Sequence, residues 1–146
     1  MRPRFWELPL RDLDREEWEA LCDGCGKCCL NKIEFEGTGE LAFTRVACKL
    51  LDGQSCQCSN YADRHRYVPE CIVLTRRKLR EVAWWLPATC AYRLRADGKP
   101  LFDWHYLISG DRESVHRAGQ SVRGWTISEL EVREEDWEDH MIEDLS

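Results

Sequence analysis

The alternation of polar and apolar positions along this chain predicts many short elements and few long ones. Asp14-Arg15-Glu16-Glu17 has the form of a capping box, with Asp14 as N-cap and Glu17 reaching back from the third helical position. Trp18, Leu21 and Cys22 follow at helical spacing, so a short helix should deliver the chain into what comes next. Ile33–Glu36 and Glu40–Arg45 are β-prone and flank Gly37-Thr38-Gly39, which reads as a small hairpin. From Cys48 to Cys71 there is little periodicity, and the segment reads as a loop folded around ligands. Thr75 can cap a helix over Arg76–Trp85 that Leu86-Pro87 must end, because proline cannot continue a helix and biases the preceding residue to extended geometry. A further short helix is expected over Ala88–Ala96, stopping at Asp97-Gly98. Ser121–Ile127 reads as a strand, and Glu134–Ile142 as a terminal helix with Trp137 and Met141 on one face. Together these elements predict a small single α+β domain over residues 1–146, helix-rich with a short β-hairpin, and with much irregular structure organised by a metal.

Composition supplies the reason to invoke a metal. At 146 residues the chain can bury a core without covalent staples, so its nine cysteines need another explanation. Nine is odd, which rules out complete internal pairing. Met1–Leu10 carries charges and prolines but no apolar stretch of the secretory kind, and nowhere does the sequence approach a membrane-spanning apolar run. The expected location is the cytoplasm, with no membrane partner. Thiols are kept reduced in that compartment, so dense cysteines there point to metal ligands or redox groups before structural disulfides.

The densest signal is Cys22-Asp-Gly-Cys25-Gly-Lys-Cys28-Cys29. Two residues between thiols let the chain turn tightly enough for both sulfurs to reach one ion, and Gly24 and Gly26 tolerate the left-handed backbone of such a turn. Backbone N–H groups within the turn can bond to the sulfurs and spread their charge. The same spacing serves zinc and iron–sulfur ligation alike. Adjacent Cys28 and Cys29 cannot easily chelate the same ion, since consecutive side chains leave the backbone in different directions. Cys48, Cys56, Cys58, Cys71 and Cys90 bring enough thiols for two four-ligand sites with one to spare. Cys90, beside Ala91 and Tyr92 on the expected helix, suits the role of a small buried hydrophobe or the spare thiol. Cys25, in contrast, is expected to be needed for both folding and metal binding. His65, His105, His116 and His140 show no ligand spacing, and only His65 lies near the later cysteines.

Charge changes the picture little. The formal net charge is −6, with a local −8 over Glu129–Ser146 and a local +5 over Ala62–Arg95. A basic run of this kind is usually a solvated face, and the acidic balance opposes phosphate binding by Arg76, Arg77, Lys78 and Arg80. No nucleic-acid partner is expected, and a protein partner is not specified.

Taken together, CDGCGKCCLNK, FTRVACKLLD, CQCSNYADR, LPATCAYRL and SVRGWTISELEV resemble the bacterial CxxCxxCC cysteine-cluster family, described as zinc- or iron-chelating, and within it the YcgN-like branch. The resemblance spans about Trp18 to His140. It implies ligand roles for Cys22, Cys25, Cys28, Cys29, Cys48, Cys58 and Cys71, with Tyr61 and Arg64 in a supporting shell around the cofactor. The broader family places arginine-proline close before its last cysteine, whereas here Arg64 lies seven residues before Cys71 and the nearby proline is Pro69; Cys56 is the alternative ligand at that end. The implied cofactor is zinc or iron, an iron–sulfur cluster included. An enzyme is the second reading, because a flagellin lysine N-methylase is similar in its cysteine cluster. Against it, the chain has no Gly-rich nucleotide loop and no acid–base pair or nucleophile triad beyond its thiols. A zinc-structured adaptor is the third.

Overall fold

A computed structural model of the chain describes residues 2–69, 71 and 74–142. The last four positions of the acidic C-terminal segment therefore lie outside the described residues. Short helices and a small mixed four-stranded sheet give an α+β chain. The helices are α1 (Arg15–Ala20), α2 (Arg64–Tyr67), α3 (Arg76–Val82), α4 (Ala91–Ala96), α5 (Tyr106–Ser109) and α6 (Ser114–Arg117); the strands are β1 (Leu30–Glu34), β2 (Leu41–Ala47), β3 (Ile127–Ser128) and β4 (Met141–Ile142). Two compact units result, one from Met1–Gly24 with Ile72–Gln120 and one from Cys25–Cys71 with Ser121–Ser146. Among the described residues no helix is long and apolar enough to cross a membrane.

The first unit is helical. Its entry helix α1 starts on the capping box expected from sequence: the Asp14 side chain accepts from the Glu17 N–H at 2.8 Å, and Glu17 accepts from the Asp14 N–H at 3.0 Å. Glu17 is itself fully buried, and Arg2 closes over it with Nε and Nη2 at 3.0 and 2.6 Å. The core gathers around Trp18, Leu21, Leu79 and Tyr92. Trp18 and Tyr92 contact ring to ring at 4.9 Å, and both polar handles are spent on backbone, Trp18 Nε1 on the Leu74 carbonyl and Tyr92 hydroxyl on the Trp18 carbonyl. Thr75 caps α3 as expected by accepting from the Lys78 N–H, and a 3-10 turn over Ala83–Trp85 carries the helix to its proline stop. The next helix begins later than the sequence suggests. Cys90 N–H bonds back to the Pro87 carbonyl in a turn, so α4 starts at Ala91 with Cys90 as its N-cap residue and packed against this core.

The second unit is built on the hairpin. β1 and β2 pair antiparallel, Ile33 opposite Ala42 and Leu30 opposite Ala47, with a bulge between Leu30 and Lys32. β3 runs parallel to β2 at Val46–Ala47, and β4 runs antiparallel to it at Phe43–Thr44. Two sequence expectations are met only in part here. Residues 121–126 form a turn: Trp125 N–H bonds to the Val122 carbonyl, its indole to the Ser121 carbonyl, and Gly124 takes a left-handed φ of 81°, leaving only Ile127–Ser128 as strand. Glu134–His140 is a 3-10 helix, and Met141–Ile142 leaves it for the sheet. Five acidic residues within six positions, without a side-chain cap, weaken an α-helix there, while β2 offers the unsatisfied N–H and C=O groups that a short strand can pair with.

Candidate metal centre

The open end of the hairpin assembles the first thiols. Cys25 is followed by Gly26 at φ 78°, a one-turn 3-10 segment over Lys27–Cys29 runs directly into β1, and Leu30 pairs with Ala47. That register sets Cys29 beside Cys48, whose N–H donates to the Cys29 carbonyl at 2.8 Å. A tight return follows: Ser59 N–H bonds to the Leu50 carbonyl, Asp52 N–H to the Gln57 carbonyl, and Leu51 bridges Cys58. This brings Cys58 back towards Cys48. Helix α2 then leads to Cys71, whose N–H bonds to the Val68 carbonyl and whose carbonyl accepts from His65 Nε2 at 2.7 Å.

Five thiols are electrostatic neighbours as a result. Cys29 is pushed up first by its hydrogen bond with Cys28, then by burial and by the charges of Cys28, Cys48 and Cys58. Burial raises Cys48 and Cys71 as well, with Cys71 and Cys58 adding to the first and Cys58 and Cys28 to the second. Arg64 acts the other way on Cys71, by charge and by a side-chain hydrogen bond that favours the thiolate. Its guanidinium lies 3.9 Å over the Tyr61 ring while Nη1 donates to the Tyr61 carbonyl at 2.7 Å. Cys28 is exposed, and Cys29, Cys48, Cys58 and Cys71 are half-buried.

The remaining cysteines sit differently. Cys25 is buried, its sulfur accepting from the Lys27 N–H at 3.4 Å and its carbonyl from the Val122 N–H at 2.9 Å. Cys56 joins the apolar cluster of Leu30, Ala47 and Val122 at a left-handed φ of 62°. Burial raises its thiol, and the groups acting on it most are Ser121, Val122, Arg123 and Asp52, none of them a cysteine. Cys22 is exposed in the first unit, and Cys90 lies there too. No disulfide joins any of the nine. His105, fully buried, donates from Nε2 to the Leu21 carbonyl and accepts at Nδ1 from the Leu107 N–H, so both ring nitrogens serve the backbone, and burial pushes its pKa below the usual value.

Among the described residues no three Cys, His, Asp or Glu side chains already stand in an arrangement that would hold an ion. The donor chemistry nevertheless fits one. Crowding and burial make the thiolates unfavourable without a countercharge, and a soft or borderline cation removes that penalty by binding the sulfurs.

Lys32 is the neighbour that sequence reading passed over. From β1 its Nζ donates to the carbonyls of Leu30 at 2.8 Å and Cys28 at 3.4 Å, and stands 5.0 Å over the ring of its cross-strand partner Phe43. Burial pulls it down to about 8, opposed by the charges of Cys28 and Cys29. A lysine three residues after a cysteine pair carries no signal in sequence; only the register of the hairpin sets it against the thiols.

A small cysteine-rich α+β protein is the class these features define. Residues 21–91 match the CxxCxxCC family model, whose description is "Putative zinc- or iron-chelating domain". The chain is 69% identical over 145 residues to a UPF0260 protein of Rhodobacter capsulatus, covering 99% of this chain and 97% of that one. It is 59% identical over 140 residues to a UPF0260 protein of Rhizorhabdus wittichii, covering 95% and 94% of the two chains. With a UPF0260 protein of Agrobacterium fabrum the figures are 55% over 140 residues, covering 95% and 86%. The chain belongs to the UPF0260 family, and those names state no activity. No solved structure matches it.

Proposed function

We propose that this protein binds zinc or iron through the thiolates of Cys29, Cys48, Cys58 and Cys71, with exposed Cys28 beside them as a fifth thiol. One observation carries the reading: these cysteines, far apart in sequence, are electrostatic neighbours within a single compact unit. Four thiolates complete the tetrahedral shell of a structural zinc site, and equally the cysteine shell of an iron–sulfur cluster. When bound, the ion or cluster supplies the positive charge that keeps the sulfurs deprotonated. His65 fixes the Cys71 carbonyl, Arg64 favours the Cys71 thiolate, and Tyr61 holds Arg64 in place. Cys25 supports the site from the buried turn, whereas Cys22 and Cys56 have no part in this shell.

Anaerobic purification followed by metal analysis tests the proposal. Wild-type protein should carry about one ion or cluster per chain, colourless for zinc and brown for iron–sulfur. Cys58→Ser should lose most of it, because a hydroxyl binds soft ions poorly, and Cys25→Ser should lose metal together with its fold. Cys56→Ala and Cys90→Ser should retain full metal. A metal-free wild-type protein, or a Cys58→Ser variant with undiminished metal, would defeat the assignment.

A further inference from the structure

Two cations flank the thiols in the same manner. Lys32 hydrogen-bonds to the carbonyls of Leu30 and of Cys28 itself, is backed by the Phe43 ring, and feels the charges of Cys28 and Cys29; Arg64 hydrogen-bonds to the Tyr61 carbonyl, is backed by the Tyr61 ring, and bonds to Cys71. Fastening at both a carbonyl and an aromatic face keeps each charge from swinging out to water. Four thiolates around a divalent ion leave an excess of two negative charges, and a half-buried site screens that excess weakly.

We infer that Lys32 is a positioning residue for the thiolate centre, its fixed positive charge against Cys28 and Cys29 offsetting the excess negative charge and so raising affinity for a divalent ion. The inference rests on the tetrathiolate reading above. Arg64 supplies the matching charge at Cys71, but Lys32 is the residue that nothing in the cysteine pattern marks. Its contribution is electrostatic: Nζ stands over the Phe43 ring and touches backbone oxygen without displacing a sulfur ligand. Loss of such an outer group typically weakens a metal site by about 10–100-fold.

Cobalt(II) is a suitable probe, because its thiolate-to-metal charge-transfer band reports how many sulfurs bind it. Wild type, Lys32→Met and Lys32→Arg should be titrated anaerobically with cobalt(II) against a competing chelator, at low and high salt. Methionine keeps the apolar stem and removes the charge. The expected result is an equal band per bound ion in all three, an affinity about tenfold weaker for Lys32→Met, and a deficit that shrinks at about 1 M salt. Lys32→Arg should return to within about twofold of wild type because arginine keeps the charge. Unchanged affinity in Lys32→Met, Lys32→Arg as weak as Lys32→Met, or a smaller band per bound ion in Lys32→Met would each overturn the inference while leaving the tetrathiolate intact. A wild-type protein with no charge-transfer band would instead overturn the tetrathiolate itself, and the inference with it.

Discussion

Gly24 and Gly26 share a left-handed φ of 78°, yet their surroundings differ. A Cβ on Gly24 would meet nothing within 4 Å; one on Gly26 would lie 2.8 Å from Val122 Cγ2, 3.1 Å from Cys56 Cβ and 3.2 Å from the Cys56 carbonyl oxygen. Val122 is fully buried and the Cys56 carbonyl is backbone, so neither gives way cheaply. Gly24→Ala should therefore cost about 1 kcal/mol, the strain of the left-handed conformation, and Gly26→Ala about 2–4 kcal/mol, strain plus overpacking. Thermal or urea unfolding of the two variants checks this, and equal losses would show that the Val122–Cys56 contact does not constrain the turn. Both glycines are legible in sequence as turn residues. What distinguishes them is not, because the atoms that crowd Gly26 come from thirty and ninety-six positions further along the chain. Cys56 shows the same dependence: sequence marks it as one of a Cys-x-Cys pair, and only tertiary packing sets it in the cluster with Leu30, Ala47 and Val122.

At the scale of elements, what is encoded locally was legible and what depends on a distant partner was not. The Asp14–Glu17 capping box, the Thr75 cap and the hairpin around residues 37–39 each follow from residues within a few positions of one another. The helix at Glu134–His140 is legible too, but its 3-10 form and β4 are not, since β4 exists by pairing with β2 about a hundred residues earlier. Arg2 is another distant contributor. It adds charge-assisted bonds to the capping box, and these, with the Asp14 N–H, hold the Glu17 carboxyl at about 2, below its ordinary 4.5. A carboxyl lowered in the folded state binds its proton more readily in the unfolded chain, so its stabilising contribution is complete above about pH 4.5 and is lost as pH falls towards 2. Glu17→Gln should accordingly be less stable than wild type near neutrality, with the gap narrowing across that acid window. Urea unfolding of both proteins at several pH values measures it, and a gap constant down to pH 2 would mean that Glu17 acts by shape rather than by charge.

For the whole molecule, the two units draw on unequal cores. Among the described residues, the first gathers nine buried residues around Trp18 and Tyr92 and the second four around Val122. Ordering a residue's backbone costs about 1–2 kcal/mol, and a cluster of four cannot offset much of that over the irregular Cys48–Cys71 segment. Thiolate coordination can, because structural zinc contributes about 10–16 kcal/mol of apparent free energy in small modules, comparable to the 5–15 kcal/mol that stabilises a typical domain. Metal removal should then act unevenly. In hydrogen exchange read by mass spectrometry, anaerobic treatment with a strong chelator should abolish protection across Cys25–Cys71 while peptides around Trp18 and Tyr92 keep most of theirs. Restoring zinc or iron(II) should restore the lost protection. Equal loss throughout would mean that the first unit depends on the ion as much as the second; no loss anywhere would mean that hairpin, turn and Val122 cluster order the cysteine segment by themselves, and that the thiols are not where the stability of this unit comes from.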